Sequence, residues 1–372
     1  MDYEIEFHPV GDASKAGDAI SIRYGQTGRY EVMVVDGGTQ ESGSQVVEHI
    51  RAVYGSNIVI KHMVSTHPDS DHASGLREIL STLQVENLWV HGLWTHSTEM
   101  LPFFSDKRWT ASGLERALQR EYSIVKELID LAAQQGTVIH EPFQGEVIGP
   151  FTVLSPNKWA YQRLVPQFRR TPDPDQRNLE QQNMWLGKTP PIAAPTGLLG
   201  MLSEGVRNWI DEKWNIELLR EGPLTAAENE TSTVLHGQFG AQSVLLTGDA
   251  GVNALRWSNN FATSIGIDLS AVSLIQVPHH GSRSNVSPSI LDLLLGPKVP
   301  LGTPTKRWAV VSAPKDDEKH PRKMVMNAFL RRATPVCKTQ GVYYRHYSGM
   351  PTRPNEIPAV PFDFFDKVEE YD

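Results

Sequence analysis

Histidine and aspartate alternate in one short stretch of this chain, Ser65-Thr66-His67-Pro68-Asp69-Ser70-Asp71-His72. Neutral imidazoles and ionised carboxylates are good ligands for a divalent cation, and a tight loop can aim residues of this spacing at one place. A polar surface turn would use the proline and the aspartates but has no need of this alternation. Two later stretches carry the same residue types. Thr247-Gly248-Asp249 follows the apolar run Ser243-Val244-Leu245-Leu246, and His279-His280-Gly281-Ser282 follows Ser273-Leu274-Ile275-Gln276-Val277-Pro278. Three strand ends therefore carry metal-type side chains. Neighbouring residues on an extended chain face opposite ways, so one of His279 and His280 is expected to bind directly. His280 is preferred, which leaves His279 in reach of substrate.

Elements with the right periods stand before these residues. Ile5-Glu6-Phe7-His8-Pro9-Val10, Ala19-Ile20-Ser21-Ile22-Arg23-Tyr24 and Tyr30-Glu31-Val32-Met33-Val34-Val35 read as strands. A helix with Val46, Val47, Ile50 and Val53 on one face follows, then the apolar run Ile58-Val59-Ile60 that leads to His67. Asp36 ends a strand beside the proposed site and is placed to orient a ligand imidazole. The segment from Gly113 to Gln135 has helical spacing and is ended by Gly136. Strands resume at Thr137-Val138-Ile139-His140 and Phe151-Thr152-Val153-Leu154.

From 157 to 227 the periodicity fails. Prolines punctuate a polar tract bearing Gln and Arg, in which Val206, Trp209, Ile210, Trp214 and Leu218 give one amphipathic helix. This tract reads as a partly helical insertion that serves as a lid or an oligomer contact, or as a structural embellishment. After the strand Trp308-Ala309-Val310-Val311-Ser312-Ala313, the cations Lys319, Arg322 and Lys323 surround His320 at the start of a helix. Such a helix start suits an anionic substrate, although a solvated basic face fits equally well. The tail 351–372 reads as flexible or peripheral.

Composition narrows the class. With 40% apolar and 21% charged side chains over 372 residues, the chain is an ordinary globular one able to bury a substantial core. Its start lacks the basic and apolar segments of a signal peptide and no stretch approaches a membrane span, so a cytoplasmic protein without a membrane partner is expected. The single cysteine, Cys337, excludes an internal disulfide. A net charge of −8 argues against broad non-specific nucleic-acid binding but leaves room for a local basic groove.

The pattern His67-x-Asp69-x-Asp71-His72 resembles the first signature of the metallo-β-lactamase fold, in the variant of ComEC-type competence proteins and phosphorylcholine esterases. Asp69 stands where most of that superfamily has His. Val10-Gly11 with Gly17-Asp18-Ala19 and Val35-Asp36-Gly37-Gly38 resemble the entry motifs of the same family, and Thr247-Gly248-Asp249, Pro278-His279-His280-Gly281-Ser282 and the His320-Pro321 motif resemble its later signatures in order. The resemblance implies an αββα four-layer sandwich with mixed sheets over residues 1–350, and two divalent cations bridged by Asp249. The implied metal ligands are His67, Asp69, Asp71, His72, Asp249 and His280. The usual third-strand His is missing; Asn229 stands near its place, as in the resembling families, beside Glu228. His140 and His236 are weaker substitutes for that histidine, and His91 and His96 are separate, weaker candidates for metal binding.

Two cations against three carboxylates leave one positive charge, so a bridging hydroxide makes the cluster neutral and reactive toward phosphorus. The oxygen-rich ligand set makes Mn²⁺ a competitor of Zn²⁺. The expected function is a phosphodiesterase or nuclease acting on DNA or RNA. Asp71, His279 and His320 are expected in catalysis, and Ser282, Lys319, Arg322 and Lys323 in substrate binding. Hydrolysis of an ester, lactone or lactam is the second enzymatic reading. A metal-depleted binding or regulatory module is the third.

Overall fold

Alternation along one strand shows how the layers arise. In Arg29–Gly37, Val32 and Val34 pack with Val46, Leu76 and Leu80, whereas Met33 and Val35 pack with Phe151, Val153 and Leu246. Successive strand side chains face opposite ways, so one face of this strand meets helices and the other meets a second sheet. The computed structural model describes residues 1–11, 16–185, 208–354, 356 and 358–371.

Strands β1 (Asp2–Phe7), β2 (Ala19–Gln26) and β3 (Arg29–Gly37) pair antiparallel, and β4 (Ile60–Val64), β5 (Val85–Trp89) and β6 (Val138–His140) continue the sheet in parallel. A hairpin of β7 (Val147–Ile148) and β8 (Phe151–Ser155) opens the second sheet. After the short strand β9 (Trp209–Asp211), the second sheet adds β10 (Val234–Phe239), β11 (Gln242–Leu246), β12 (Leu274–Gln276), β13 (Trp308–Val311) and β14 (Val336–Lys338). Of these, β11 to β14 run parallel. Strand β15 (Tyr344–Ser348) returns to the first sheet beside β1, and β16 (Lys367–Glu369) pairs with β9. Helices cover the outer face of each sheet over separate apolar clusters, and a third cluster fills the space between the sheets. The result is the expected αββα sandwich. No helix among the described residues is long and apolar enough to cross a membrane.

Three local expectations are corrected. The single helix expected over 113–135 is two, Ala111–Glu121 and Ser123–Gln135, broken at Tyr122, whose ring packs into the core. The amphipathic helix expected around 206–218 is absent from its described part. Val206 lies outside the described residues, and Trp209–Asp211 is strand β9. Its ladder partner comes from the far end of the chain, with Ile210 opposite Val368, and such a partner overrides a local helical period. For the same reason the tail is not loose: Val368 and Glu369 are buried, and Phe362 and Phe365 pack on the second core. Arg353 and Arg345 also reach back to the buried carboxylate of Glu4, each at 2.7 Å. Part of the insertion is likewise integral, since Tyr161, Leu164 and Phe168 belong to the helix-side core of the first sheet.

Candidate metal centre

Parallel pairing decides where the ligand loops emerge. Strands β3 and β4 deliver Asp36 and the His67 loop to one edge of the first sheet, and β11 and β12 deliver Asp249 and His279-His280 to one edge of the second. The two edges meet: Thr233 N donates to Thr66 O at 2.9 Å. Close backbone packing brings in a further strand. A Cβ on Gly17 would lie 2.1 Å from Asp71 O, so glycine there lets the segment before β2 run against the His67 loop and carries Asp18 into the site.

Asp36 orients the loop. Its carboxylate accepts from Thr66 N at 2.8 Å, from Thr66 Oγ1 at 2.6 Å and from His72 Nδ1 at 2.9 Å. With Nδ1 so engaged, His72 presents Nε2 to Asp249 Oδ1, 3.4 Å away. Burial opposes charge on His72, but Asp249 and Asp36 outweigh it and carry the imidazole well above its usual range. A cation held at Nε2 would take the place of that proton, so binding there would depend on pH.

Asp249 divides the site in two. Its Oδ1 lies 3.4 Å from His72 Nε2 and 3.8 Å from His280 Nε2, and its Oδ2 lies 3.7 Å from His67 Nε2 and 3.5 Å from His279 Nε2. On the Oδ1 side, ligand atoms of Asp71, His72 and His280 lie within 4.8 Å of one another, as do those of Asp18, His72 and Asp249. On the Oδ2 side, Asp69 Oδ2 is 3.9 Å from His67 Nε2.

The expectation that His279 and His280 face opposite ways is corrected. Both have left-handed backbones, φ 46° and 54°, so the segment is a tight turn and not an extended strand. Both imidazoles therefore approach Asp249. His280 Nδ1 donates to Ser312 O at 2.9 Å, and His279 Nδ1 to Asn285 Oδ1 at 2.7 Å, while Asn285 Nδ2 holds Asp249 O at 2.7 Å. Each histidine thus turns an Nε2 lone pair inward. Asn229 Nδ2 lies 3.1 Å from His279 Nδ1, which places Asn229 behind the ligand set rather than in it.

These residues fit a bound cation pair. His67 Nε2, His72 Nε2, His280 Nε2, Asp249 Oδ1 and both Asp18 carboxylate oxygens are buried without a hydrogen-bond partner. Orphaned polar atoms of this kind are costly, and here they cluster about one carboxylate. Burial alone would raise the Asp249 carboxyl, but the imidazoles of His279, His72 and His280 hold it well below its ordinary range. Burial raises the Asp18 carboxyl, against the imidazoles of His280 and His72. Asp18 was visible in the sequence as part of Gly17-Asp18-Ala19, but nothing local marked it as a site residue.

The anion-binding side differs from expectation. Arg169, in the insertion, reaches Asp69 Oδ2 at 3.0 Å and buried Glu228 Oε1 at 3.2 Å, at the wall of a cleft of about 830 Å³ that also takes in Asp71 and His279. Sequence reading passed over Arg169, because one arginine in a polar tract carries no signal. His320 stacks at 6.1 Å from the His279 ring and holds Asp317 Oδ2 through Nδ1 at 3.2 Å. Burial pushes its imidazole below the ordinary range against the pull of Asp317. A neutral ring whose Nδ1–H donates to the Asp317 carboxylate keeps a lone pair at Nε2, where it accepts a proton rather than donating one.

Lys319 precedes His320 and is partly exposed. Lys323 turns away, its ammonium 4.1 Å over the Trp209 ring, and Glu369 takes the Lys323 and Met324 amides at 2.9 and 3.4 Å. The helix start expected to bind substrate is thus capped by the chain's own carboxylate. Arg322 is buried at that cap, and Ser282, also buried, accepts from Ser284 N. The weaker histidine candidates join no ligand group among the described residues: His96 pairs with Glu141, His140 with Asn87, and His91 stacks on Tyr161.

A family model described as the metallo-beta-lactamase superfamily matches residues 26–299. No curated protein matches the sequence. The metallo-beta-lactamase fold protein YhfI from Bacillus subtilis is similar, with 8% identity, a TM-score of 0.41, and coverage of 94% of this chain and 100% of that one. The hydrolase AbOPH of the beta lactamase superfamily is 11% identical, with a TM-score of 0.31 and coverage of 62% and 55%. The metallo-beta-lactamase SMB-1 is 10% identical, with a TM-score of 0.30 and coverage of 78% and 87%. The matched span 26–299 takes in most of the chain, including the His67 loop, Asp249 and the His279-His280 turn, and this protein belongs to the metallo-beta-lactamase superfamily.

Proposed function

We propose that this superfamily hydrolase cleaves phosphodiesters with two divalent cations, Zn²⁺ or Mn²⁺, and that DNA or RNA is its first substrate class. The observation that carries the reading is the division of Asp249, whose two oxygens each face their own pair of imidazoles. When bound, the cations activate water and polarise a phosphoryl oxygen. His67, His279 and Asp69 would hold one, and His72, His280 and Asp71 the other, with Asp249 between them. Asp18 adds a carboxylate to the second set, and four aspartates make the donors oxygen-rich, which suits Mn²⁺ as well as Zn²⁺.

Arg169, half exposed in the cleft beside Asp69, offers a contact to a negative group. Its guanidinium stands beside Asp69, and His320 stacks near the His279 ring with Lys319 next to it in the chain, which supports an anionic phosphoryl group as the occupant. His320, neutral and fixed by Asp317, is suited to accept a proton released during the reaction. Asp69 in place of a histidine, together with the His279-His280 turn, supports a competence-protein-like or phosphorylcholine-esterase-like subgroup.

The test is hydrolysis of bis-p-nitrophenyl phosphate and of single-stranded DNA and RNA in Mn²⁺ or Zn²⁺, beside nitrocefin and lactone controls. Metal-dependent cleavage of the phosphodiesters, abolished in Asp71→Ala with the fold intact, is the expected outcome. Activity confined to nitrocefin or lactones would replace this reading with the ester, lactone or lactam one. Bound metal well below one ion per chain in a folded protein would point to the binding module.

A further inference from the structure

Asp69 serves two partners. The Oδ2 atom that lies 3.9 Å from His67 Nε2 also lies 3.0 Å from a terminal nitrogen of Arg169. Arg169 is held in place, since its backbone N and its Nε both donate to Glu228 Oε1, at 2.6 and 3.2 Å, and Glu228 is buried. A guanidinium carries five N–H donors in a rigid fork. Glu228 takes one and Asp69 another. The side chain is 53% exposed at the wall of the cleft, and its remaining donors have no protein partner among the described residues. On the opposite side of Asp249, His72, His280 and Asp18 are buried, and Asp71 is the member of that set that reaches the cleft.

We propose that Arg169 makes the two cation positions unequal and couples the first of them to the anionic substrate. Fixed positive charge at Asp69 opposes a dication on the Oδ2 side while the cleft holds water. A phosphoryl group set between guanidinium and cation removes that opposition and uses the donors that Arg169 has to spare. The first cation and the anion therefore strengthen each other's binding, and by thermodynamic linkage they do so equally. The second position loads without such help. This inference rests on the two-position reading above and adds to it the residue that links metal loading to ligand charge.

The full chain, stripped with chelator, is titrated calorimetrically with Mn²⁺ in the presence and absence of inorganic phosphate, as wild type and as Arg169→Met. Wild type is expected to bind one equivalent tightly and a second about tenfold more weakly, with phosphate tightening the second by about the same factor. In Arg169→Met the second equivalent should tighten without phosphate, and phosphate should lose its effect. Should that variant fail to melt cooperatively, Glu228→Gln, which loosens the guanidinium, is expected to shift the second equivalent in the same direction by less. Two equal equivalents in wild type, or a second equivalent unmoved by either folded variant, would overturn the coupling and leave the two-position reading intact. A single equivalent in every variant would remove that reading, and the coupling with it.

Discussion

The two sides of Asp249 use the same residue types but are held differently. On the Oδ1 side, His72 and His280 are buried, with side-chain exposures of 0% and 2%, and each is aimed by an acceptor behind it, Asp36 or the Ser312 carbonyl. On the Oδ2 side, the His279 side chain is 32% exposed and Asp69 25%, and Asp69 is shared with Arg169. Donor chemistry is therefore a poor guide to affinity by itself. Water access and the groups behind the ligands distinguish two sets that look alike on paper.

The largest expected effect removes the comparison altogether. Asp249→Asn takes away the charge that both sides share, and metal content and turnover should fall by more than the roughly 100-fold that losing an outer partner costs. Elemental analysis of the purified variant, with melting to confirm the fold, checks this; a variant that kept both ions would contradict the shared-carboxylate geometry.

A smaller effect should sharpen the contrast. Asp36→Asn releases Thr66 and His72, so affinity on the Oδ1 side should drop by about 10- to 100-fold. Asn285→Ala releases His279, on the side already weakened by Arg169, and should disturb the weaker of the two equivalents seen by calorimetry more than the tight one. If Asn285→Ala weakened the tight equivalent instead, the assignment of sides would be reversed.

A last contrast compares two buried imidazoles. His72 has carboxylates beside it and is raised well above its usual range, whereas His91 is buried without them and is pushed down to about 3. Without cations, the stability from His72 is fully present below its unfolded value of about 6.5 and is lost as pH rises through its folded value. His91 acts oppositely: the unfolded chain takes up its proton more readily, so stability falls as pH drops from about 6.5 toward its folded value, by up to about 1.4 kcal/mol per pH unit. Thermal melts of His91→Phe between pH 7 and 4 should show a shallower acid loss than wild type. An unchanged slope would mean that His91 is already solvated or charged in the folded protein.

How much of this was legible in the sequence follows from the range of each signal. The strands before His67, Asp249 and His279 announce themselves by local apolar runs, and the four-layer sandwich was expected from the resemblance of the motifs at their ends to the metallo-β-lactamase fold. Asp36 was legible because it ends such a strand. Asp18 was not, because its place depends on the close pass of Gly17 against Asp71 O, more than fifty residues away along the chain. The helix expected near Trp209 failed for a similar reason, since the partner that makes it a strand is Val368. The phosphate site expected at the helix beginning near Lys323 failed because Glu369, from the same tail, reaches its amides first.

By itself the sequence determined the donor types and their position at strand ends, because strand period and turn chemistry act over a few residues, and the motifs so formed carried the resemblance that implied the two-sheet plan. Tertiary structure decided which Asp249 oxygen each imidazole faces, that His279 and His280 bend inward together, and that Arg169 sits on Asp69. Those outcomes are set by contacts between residues distant along the chain, and a short-range pattern carries no record of them.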